Sequence, residues 1–218
     1  MSTGEGRAGE QVLGATTAFQ WGELARYKAD KRFLDHYPDD FRTFCAPRDD
    51  IHGMLVSLLK SAQRSIVLNM FGYDDDEFDE VIRHKLDDGQ VYVQISLDSR
   101  QAGSSKHEQA ILEKWNNHAF GNSIAIGTSS RRAISHLKIL IVDGIYTVRG
   151  STNWSLSGER EQDNELTLSR DAVIAAETRA VLDLNHDWML KQMAAKRMGK
   201  PKPREPAPKK RPRAPRPA

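Results

Sequence analysis

The residues of this chain best suited to chemistry lie between positions 135 and 154, in the segment SHLKILIVDGIYTVRGSTNW. His136 and Lys138 are two residues apart at the start of a predicted strand, so both side chains emerge on one face. The dipeptide Asp143-Gly144 predicts a tight hairpin, whose second strand returns residues 150–153 to the same place. A histidine, a fixed cation and an amide donor would then surround a space the size of a phosphate group.

A short helix is expected after the hairpin, with Ser151 or Asn153 as its N-terminal cap. The first turn of a helix carries unpaired N–H groups and partial positive charge, which favour anions. Beside Lys138 and His136, such a helix would complete an anion site. We therefore expect Lys138, Ser151 and Asn153 to bind the phosphate.

The pattern H-x-K-x4-D-x6-G-S-x-N resembles the signature of the phospholipase D superfamily. Every position of that signature is matched by His136, Lys138, Asp143, Gly150, Ser151 and Asn153. Six fixed residues, at about one in twenty each, give a chance expectation on the order of 10⁻⁵ for a chain of this length. The resemblance covers about residues 41–191. It implies an α/β fold with a mixed β-sheet layered between helices, and an enzyme that hydrolyses phosphodiester bonds.

The motif occurs once in the 218 residues. Family members with two copies build one active site between two halves of a chain. Short members with a single copy are similar to the bacterial endonuclease branch, in which two identical subunits each supply one motif. The resemblance therefore implies a homodimer with one shared site.

The resemblance also implies a mechanism in two displacements. One His136 attacks phosphorus and forms a covalent phosphohistidine, and the partner's His136 protonates the leaving oxygen. Both copies of Lys138 and Asn153 would bind the non-bridging oxygens and stabilise the charge of the transition state. With two lysines in the site, neither a divalent metal nor another cofactor is expected.

A nucleophilic imidazole needs an acceptor that orients its second nitrogen, and in the endonuclease branch a carboxylate beyond the asparagine does this. Asp163 fits that position best if one residue is deleted from the preceding loop, although the usual residue is glutamate. Glu165 is the alternative, since it lies on the same face of the predicted strand. Asp143 belongs to the motif and is grouped with the catalytic residues. We expect it to accept hydrogen bonds near the hairpin turn rather than to carry a proton.

Alternating strands and helices must position the motif. Strands are predicted at 41–46, 65–71, 91–98, 123–126, 137–143, 145–149 and 165–169. Helices are predicted at 19–37, 51–62, 74–89, 108–115 and from about 171. Asp49 or Asp50 should cap the second of these helices. The last helix places on one face Val173, Ala176, Ala180, Leu184 and Trp188.

Other titratable residues are interpreted as structural. The acidic run 74–77 resembles a metal site, but acids in the first turn of a helix are usual partners of its dipole, and we favour that interpretation. The histidines outside the motif show no metal-ligand spacing and are expected at the surface or hydrogen-bonded in the core. They are His36, His52, His84, His107, His118 and His186.

Charge is distributed unevenly along the chain. Residues 197–218 carry nine Lys or Arg and one acid, a net charge of +8, and the whole chain has +2, which leaves −6 for residues 1–196. The composition predicts an N-terminal extension over 1–40, partly disordered with a possible helix, a phospholipase D-like catalytic domain over 41–196 and a basic, proline-rich disordered tail over 197–218.

The basic residues favour a polyanionic substrate. We interpret the tail, which includes Lys209, Lys210 and Arg211, as a flexible arm that binds nucleic acid phosphates. Nearer the motif, Arg131-Arg132 and Arg149 would contact the approaching backbone. Anionic lipid headgroups would attract the same charges, so a membrane lipid remains a less favoured partner.

Three functions remain after these considerations. The favoured one is a metal-independent endonuclease on DNA or RNA, the second a phospholipase D-type lipid phosphodiesterase, and the third a non-catalytic nucleic-acid-binding protein on the same fold. No apolar run approaches the roughly 20 residues that span a bilayer, and the N-terminus shows no apolar leader. A single cysteine, Cys45, excludes an internal disulfide. A cytoplasmic enzyme is the expectation.

Overall fold

The computed structural model describes residues 18–102 and 122–199. Its strands are β1 Phe41–Ala46, β2 Ser65–Met70, β3 Tyr92–Asp98, β4 Ile124–Gly127, β5 Ile139–Val142, β6 Tyr146–Gly150 and β7 Asn164–Arg170. The helices are α1 Ile51–Ser61, α2 Asp76–Asp88, α3 Leu156–Arg160 and α4 Ala172–Arg197, and Trp21–Tyr27 forms a 3₁₀ helix. The predicted helix at 108–115 and the predicted tail beyond residue 199 lie outside the described residues.

The strands form one mixed sheet in the order β1-β7-β6-β5-β2-β3-β4. Strands β2, β3 and β4 are parallel, and the remaining neighbours are antiparallel. The predicted hairpin joins β5 to β6, and both turn residues have positive φ, 55° at Asp143 and 69° at Gly144. Asp-Gly is favoured in such a turn because both residues tolerate this backbone conformation.

Helices cover both faces of the sheet. Residues of α1 and α2, such as Leu55, Leu58 and Phe78, pack on one face together with the 3₁₀ helix. On the other face, Ala175 and Leu182 of α4 pack against the sheet. The predicted α/β fold, a mixed sheet between helices, is confirmed.

Two local predictions need correction, and one open alternative is decided. The helix predicted at 19–37 is only the 3₁₀ turn Trp21–Tyr27, because Lys28 is extended and the Asp49 carboxylate accepts from the N–H of Ala29. Of the two candidate caps for α1, Asp50 is the cap and accepts from Gly53 N–H.

The buried face of α4 also differs from the prediction. Val173 and Leu184 are 76% and 72% exposed, whereas Ala175, Leu182 and Met189 are buried. The sheet packs against the face that carries Ala175, Leu182 and Met189, and His186 is buried on the same face. In the described part of the chain, no helix has the length and apolar character needed to cross a membrane.

Candidate active site

Three of the predicted catalytic residues, His136, Lys138 and Asn153, meet at the end of β2. Phe71 and Gly72 follow this strand, and each contacts one part of the motif. The ring of Phe71 packs edge-on against His136 with the centroids 4.7 Å apart. The N–H of Gly72 donates to Oδ1 of Asn153 at 3.3 Å. The two ends of the β5–β6 hairpin are therefore held beside the same pair of residues.

His136 and Lys138 interact directly. Nζ of Lys138 lies 3.1 Å from Nε2 of His136. An ammonium group only donates hydrogen bonds, so Nε2 is the acceptor in this contact. The lone pair of Nε2 thus points towards the ammonium group of Lys138. An oxygen of a bound phosphate would contact the same ammonium group.

The surroundings of Lys138 favour strong binding of a phosphate oxygen by its ammonium group. The side chain is largely buried, and Nζ lies 5.2 Å from the centre of the Phe71 ring. Burial lowers the pKa of the Lys138 ammonium from its ordinary value, because the charged form is poorly solvated. In a place with little water, its attraction for a phosphate oxygen exceeds that of an exposed lysine.

Asn153 is oriented by the backbone around it. Because Oδ1 accepts from Gly72, the Nδ2 group remains to donate to a substrate oxygen. Trp154 then pairs with residues 72–74: its N–H donates to Gly72 and its carbonyl accepts from Asp74. Trp154 is 1% exposed, so it packs beneath the site and offers no surface to a base.

Gly150 and Ser151 attach the motif to β7. A Cβ at Gly150 would lie 2.1 Å from the carbonyl oxygen of Glu165, so only glycine permits the observed approach of the strands. Oγ of Ser151 donates to Asn164 at 2.8 Å and accepts from the N–H of Glu165 at 3.1 Å. The serine proposed as a phosphate ligand is therefore also a fixed link between two strands.

Comparison with known proteins identifies this arrangement. Residues 55–188 match the family model described as "Cardiolipin synthase, PLD-like domain". The chain belongs to this family. It is a member of the PLD-like phosphodiesterase superfamily, so the predicted enzyme class is confirmed. Among curated proteins, none matches the chain.

Solved structures share the fold of this PLD-like domain. A phospholipase D family member, Nuc from Salmonella typhimurium, is 18% identical with a TM-score of 0.54, over 67% of this chain and 93% of that one. NucT from Helicobacter pylori is 16% identical with a TM-score of 0.60, over 67% and 95%. Phosphatidylserine synthase from Haemophilus influenzae Rd KW20 is 14% identical with a TM-score of 0.52, over 67% and 38%.

The predicted helix cap of the PLD-like motif is wrong. Ser155 caps α3 by accepting from Gly158 N–H, whereas Ser151 and Asn153 bond to neighbouring strands and loops. The chain remains extended through Trp154 because that residue pairs with Tyr73. A helix of five residues that begins beyond this pairing does not supply the expected anion site.

Asp143 lies at the other end of β5 from His136. Its carboxylate accepts from the backbone N–H groups of three residues at the start of β2: Gln63, Arg64 and Ser65. This is the hydrogen-bonding role expected near the turn. Its grouping with the catalytic residues is corrected, because its oxygens hold the hairpin against β2 and face no reacting atom.

The residue that orients His136 stays a prediction. Asp163 and Glu165 are both exposed, and neither forms a hydrogen bond or ion pair with His136 among the described residues. Glu165 contacts the motif through its backbone, which pairs with Ser151.

The basic residues near the motif are at the surface. Arg131 and Arg132 are exposed, and the Arg132 carbonyl accepts from Arg100. Arg149 is exposed and donates to Thr178 of α4 at 2.8 Å. The remaining predicted contacts, Lys209, Lys210 and Arg211, lie outside the described residues.

Two buried polar residues, Asp98 and Asn69, hold the residue that precedes His136. The carboxylate of Asp98 accepts from the N–H of Ser135 at 2.6 Å, and Oγ of Ser135 donates to Asn69 at 3.2 Å. Ser135 immediately precedes His136. Sequence reasoning placed Asp98 at a strand end but did not assign it this role; an acid that ends a buried strand was the available signal.

A second cluster was also missed, and it lies around His52. Nδ1 of His52 is 2.7 Å from Oε2 of Glu159 and 3.5 Å from Oδ2 of Asp75, and Nε2 is 3.0 Å from Glu77. Burial acts to lower the pKa of His52, but the hydrogen bonds to Glu77 and Glu159 outweigh it and raise this pKa. Burial raises the pKa of the Glu159 carboxyl to about 7. As expected of the acidic run, Asp76 and Glu77 lie in the first turn of α2, and Asp75 caps this helix.

Proposed function

We propose that this PLD-like protein is an endonuclease that cleaves DNA or RNA at an active site shared by two subunits. The observation that carries the proposal is the single cluster of His136, Lys138 and Asn153 at the end of the sheet. The cluster supplies one nucleophile and one fixed cation. Two-step cleavage of a phosphodiester also needs a general acid, which a second copy of His136 would provide.

In the first displacement, Nε2 of one His136 forms a bond to phosphorus as the bond to the leaving oxygen breaks. The partner's His136 gives its proton to that oxygen. The leaving strand ends in a hydroxyl group, and the other strand remains on the first imidazole as a phosphohistidine. The geometry that supports this step is the lone pair of Nε2, directed to the phosphate position by Lys138.

In the second displacement, the partner's imidazole accepts a proton from water, whose oxygen attacks phosphorus. The bond from phosphorus to nitrogen breaks, and the first imidazole is restored. Nζ of Lys138 and Nδ2 of Asn153 bind the non-bridging oxygens in both steps, from two subunits together. The two Lys138 ammonium groups offset the negative charge of the phosphate, as a metal ion would in a metal-dependent enzyme.

The extent of the structural matches favours a nuclease with one motif. The chain aligns with 93% and 95% of Nuc and NucT, but with only 38% of the phosphatidylserine synthase. The basic tail favours the same substrate, since an acidic body benefits from a cationic arm when it meets a polyanion. We include in this proposal the surface arginines at 131, 132 and 149 as contacts to the nucleic acid backbone.

A lipid phosphodiesterase is the second candidate. The observation that favours it is the description of the matching family, together with the phosphatidylserine synthase among the similar folds. The same imidazole and ammonium groups would cleave the phosphodiester of a headgroup.

The experiment compares both substrates under one condition. Purified full-length protein is incubated with single- and double-stranded DNA, with RNA and with phosphatidylcholine vesicles, all in excess chelator. We expect cleavage of nucleic acid, lost in His136→Ala and retained in His84→Gln, an exposed histidine of α2. Hydrolysis of the lipid alone would establish the second candidate, and activity in His136→Ala would contradict the nucleophile.

A further inference from the structure

The cluster around His52 brings together side chains that are distant in the sequence. His52 belongs to α1, Asp75 caps α2 and Glu159 belongs to α3. One nitrogen or oxygen atom from each of the three lies within 4.8 Å of the others. The cluster is separate from His136 and has no part in the two displacements.

Each carboxylate of the cluster has one oxygen that is available to bind a cation. Oδ1 of Asp75 accepts from the N–H groups of Glu77 and Phe78, which leaves Oδ2 directed at His52. The side chain of Glu159 is 0% exposed; Oε2 contacts His52, whereas Oε1 has no hydrogen-bond partner among the described residues. A buried carboxylate oxygen without a partner costs free energy, and a bound cation would satisfy it.

The charges of the cluster favour a cation with more than one positive charge. Lys60 pairs with Glu77 at 3.0 Å and offsets that carboxylate. Asp75 and Glu159 both direct a carboxylate oxygen at His52, while Arg160 lies at the exposed edge of the adjoining pocket. A divalent ion held between them would balance both carboxylates.

The ligand atoms indicate which ion. An imidazole nitrogen with two carboxylate oxygens suits zinc and similar transition-metal ions, whereas Mg²⁺ and Ca²⁺ take oxygen ligands. A cavity of about 610 Å³, lined in part by His52 and Asp75, adjoins the cluster and gives room for a water as fourth ligand.

We propose that His52, Asp75 and Glu159 form a binding site for one zinc-type divalent ion. The ion joins α1, the start of α2 and α3, and α3 follows the loop that carries Asn153. The ion stabilises this loop and takes no part in the chemical step at His136. This inference goes beyond the proposed nuclease function and does not depend on it.

The test uses the full-length chain, first freed of metal by chelator and dialysis. Zn²⁺ binding is measured by calorimetry, and Co²⁺ is added as a spectroscopic probe of the ligand set. We expect one ion per chain, without the charge-transfer absorption of a thiolate, and a higher midpoint of thermal unfolding with Zn²⁺. Mg²⁺ at the same concentration should give neither effect.

Variants locate the ion. Glu159→Gln keeps the shape of the side chain and should weaken Zn²⁺ binding at least tenfold; it is the decisive variant, because Asp75→Asn also alters the cap of α2. His84→Gln and Cys45→Ser each remove an exposed side chain of a type that binds zinc. Both variants should bind Zn²⁺ as tightly as the wild type does. Absence of binding in the wild type, or equal binding in Glu159→Gln, would overturn the proposal. Neither measurement uses nucleic acid, so failure of the nuclease proposal leaves the result unaffected.

Discussion

The N–H of Ser135 donates to the buried carboxylate of Asp98 at 2.6 Å and so ties the residue before His136 to the end of β3. The other oxygen of Asp98 accepts from the N–H of Arg100 at 2.9 Å. Both oxygens therefore serve the backbone, and the direction in which His136 leaves the sheet depends on them.

Asp98→Asn should lower kcat by about 10- to 100-fold with little change in KM, because an amide cannot accept at both positions and the imidazole loses its alignment. Steady-state kinetics on the substrate that the protein cleaves measures both constants. The matched control is Asp88→Asn at the exposed end of α2, which should leave kcat unchanged. A rise in KM alone would show that Asp98 has no positioning role.

The local geometry of the motif could be predicted because its determinants are close in sequence. His136 and Lys138 are two residues apart just before β5 and their side chains meet, and Asp143-Gly144 sets the hairpin. Phe71 and Gly72 could not be assigned to the site in advance. Their contacts depend on the pairing of β2 with β5, which joins residues about 70 positions apart.

The failures of prediction have similar causes. Ser155 rather than Ser151 caps α3, because pairing between Tyr73 and Trp154 delays the helix. The cluster of His52 and Glu159 depends on a side-chain contact between α1 and α3, and single histidines or acids carry no spacing that reveals such a contact. Long-range packing, which the linear pattern does not contain, decided each case.

A subunit-mixing experiment tests whether the active site is shared. Wild-type and His136→Ala chains are unfolded together in equal amounts and refolded, so that about one quarter of the dimers contain two wild-type subunits. Activity should then fall to about half of that shown by the same wild-type chains refolded alone. Mixing with His84→Gln should cause no loss. If mixing with His136→Ala chains also leaves the activity unchanged, each subunit has a complete active site of its own.

Gly150→Ala tests the close approach of β6 and β7. The added Cβ would meet the Glu165 carbonyl at 2.1 Å and Cα of Leu166 at 2.9 Å, both backbone atoms that cannot turn aside. We expect a loss of about 1–3 kcal/mol in the free energy of unfolding, measured with urea. Gly22→Ala has no atom within 4 Å of the new Cβ and should change stability by no more than about 0.5 kcal/mol.

Lys138 should set the alkaline limit of substrate binding. Burial lowers the pKa of its ammonium, so the side chain loses its charge at a lower pH than an exposed lysine. The affinity for nucleic acid should therefore fall as pH rises through this value. Lys138→Arg, which keeps its charge, should retain its affinity to higher pH, as binding measured at several pH values in the inactive His136→Ala background would show. An unmoved limit would assign it to another group.

His186 of α4 predicts a loss of stability in mild acid. The ring is 4% exposed; Nε2–H donates to the Asn122 carbonyl at 2.6 Å, and Nδ1 accepts from Ser96 at 2.9 Å. A neutral ring with its proton on Nε2 satisfies both nitrogens. Burial lowers the pKa of His186, and it outweighs the opposing effects of that hydrogen bond and of Asp187 and Asp183.

Because the folded-state pKa is lowered, the unfolded chain binds a proton at His186 more readily than the folded chain does. The stabilisation is complete above about pH 6.5, the value for an unfolded histidine, and is lost as pH falls toward the folded-state pKa. The slope from this residue is at most about 1.4 kcal/mol per pH unit. Urea unfolding between pH 5 and pH 7.5 should show this slope in the wild type and in His84→Gln, and a flatter curve in His186→Gln. Equal slopes in all three proteins would mean that His186 is protonated in the folded state as readily as in the unfolded chain.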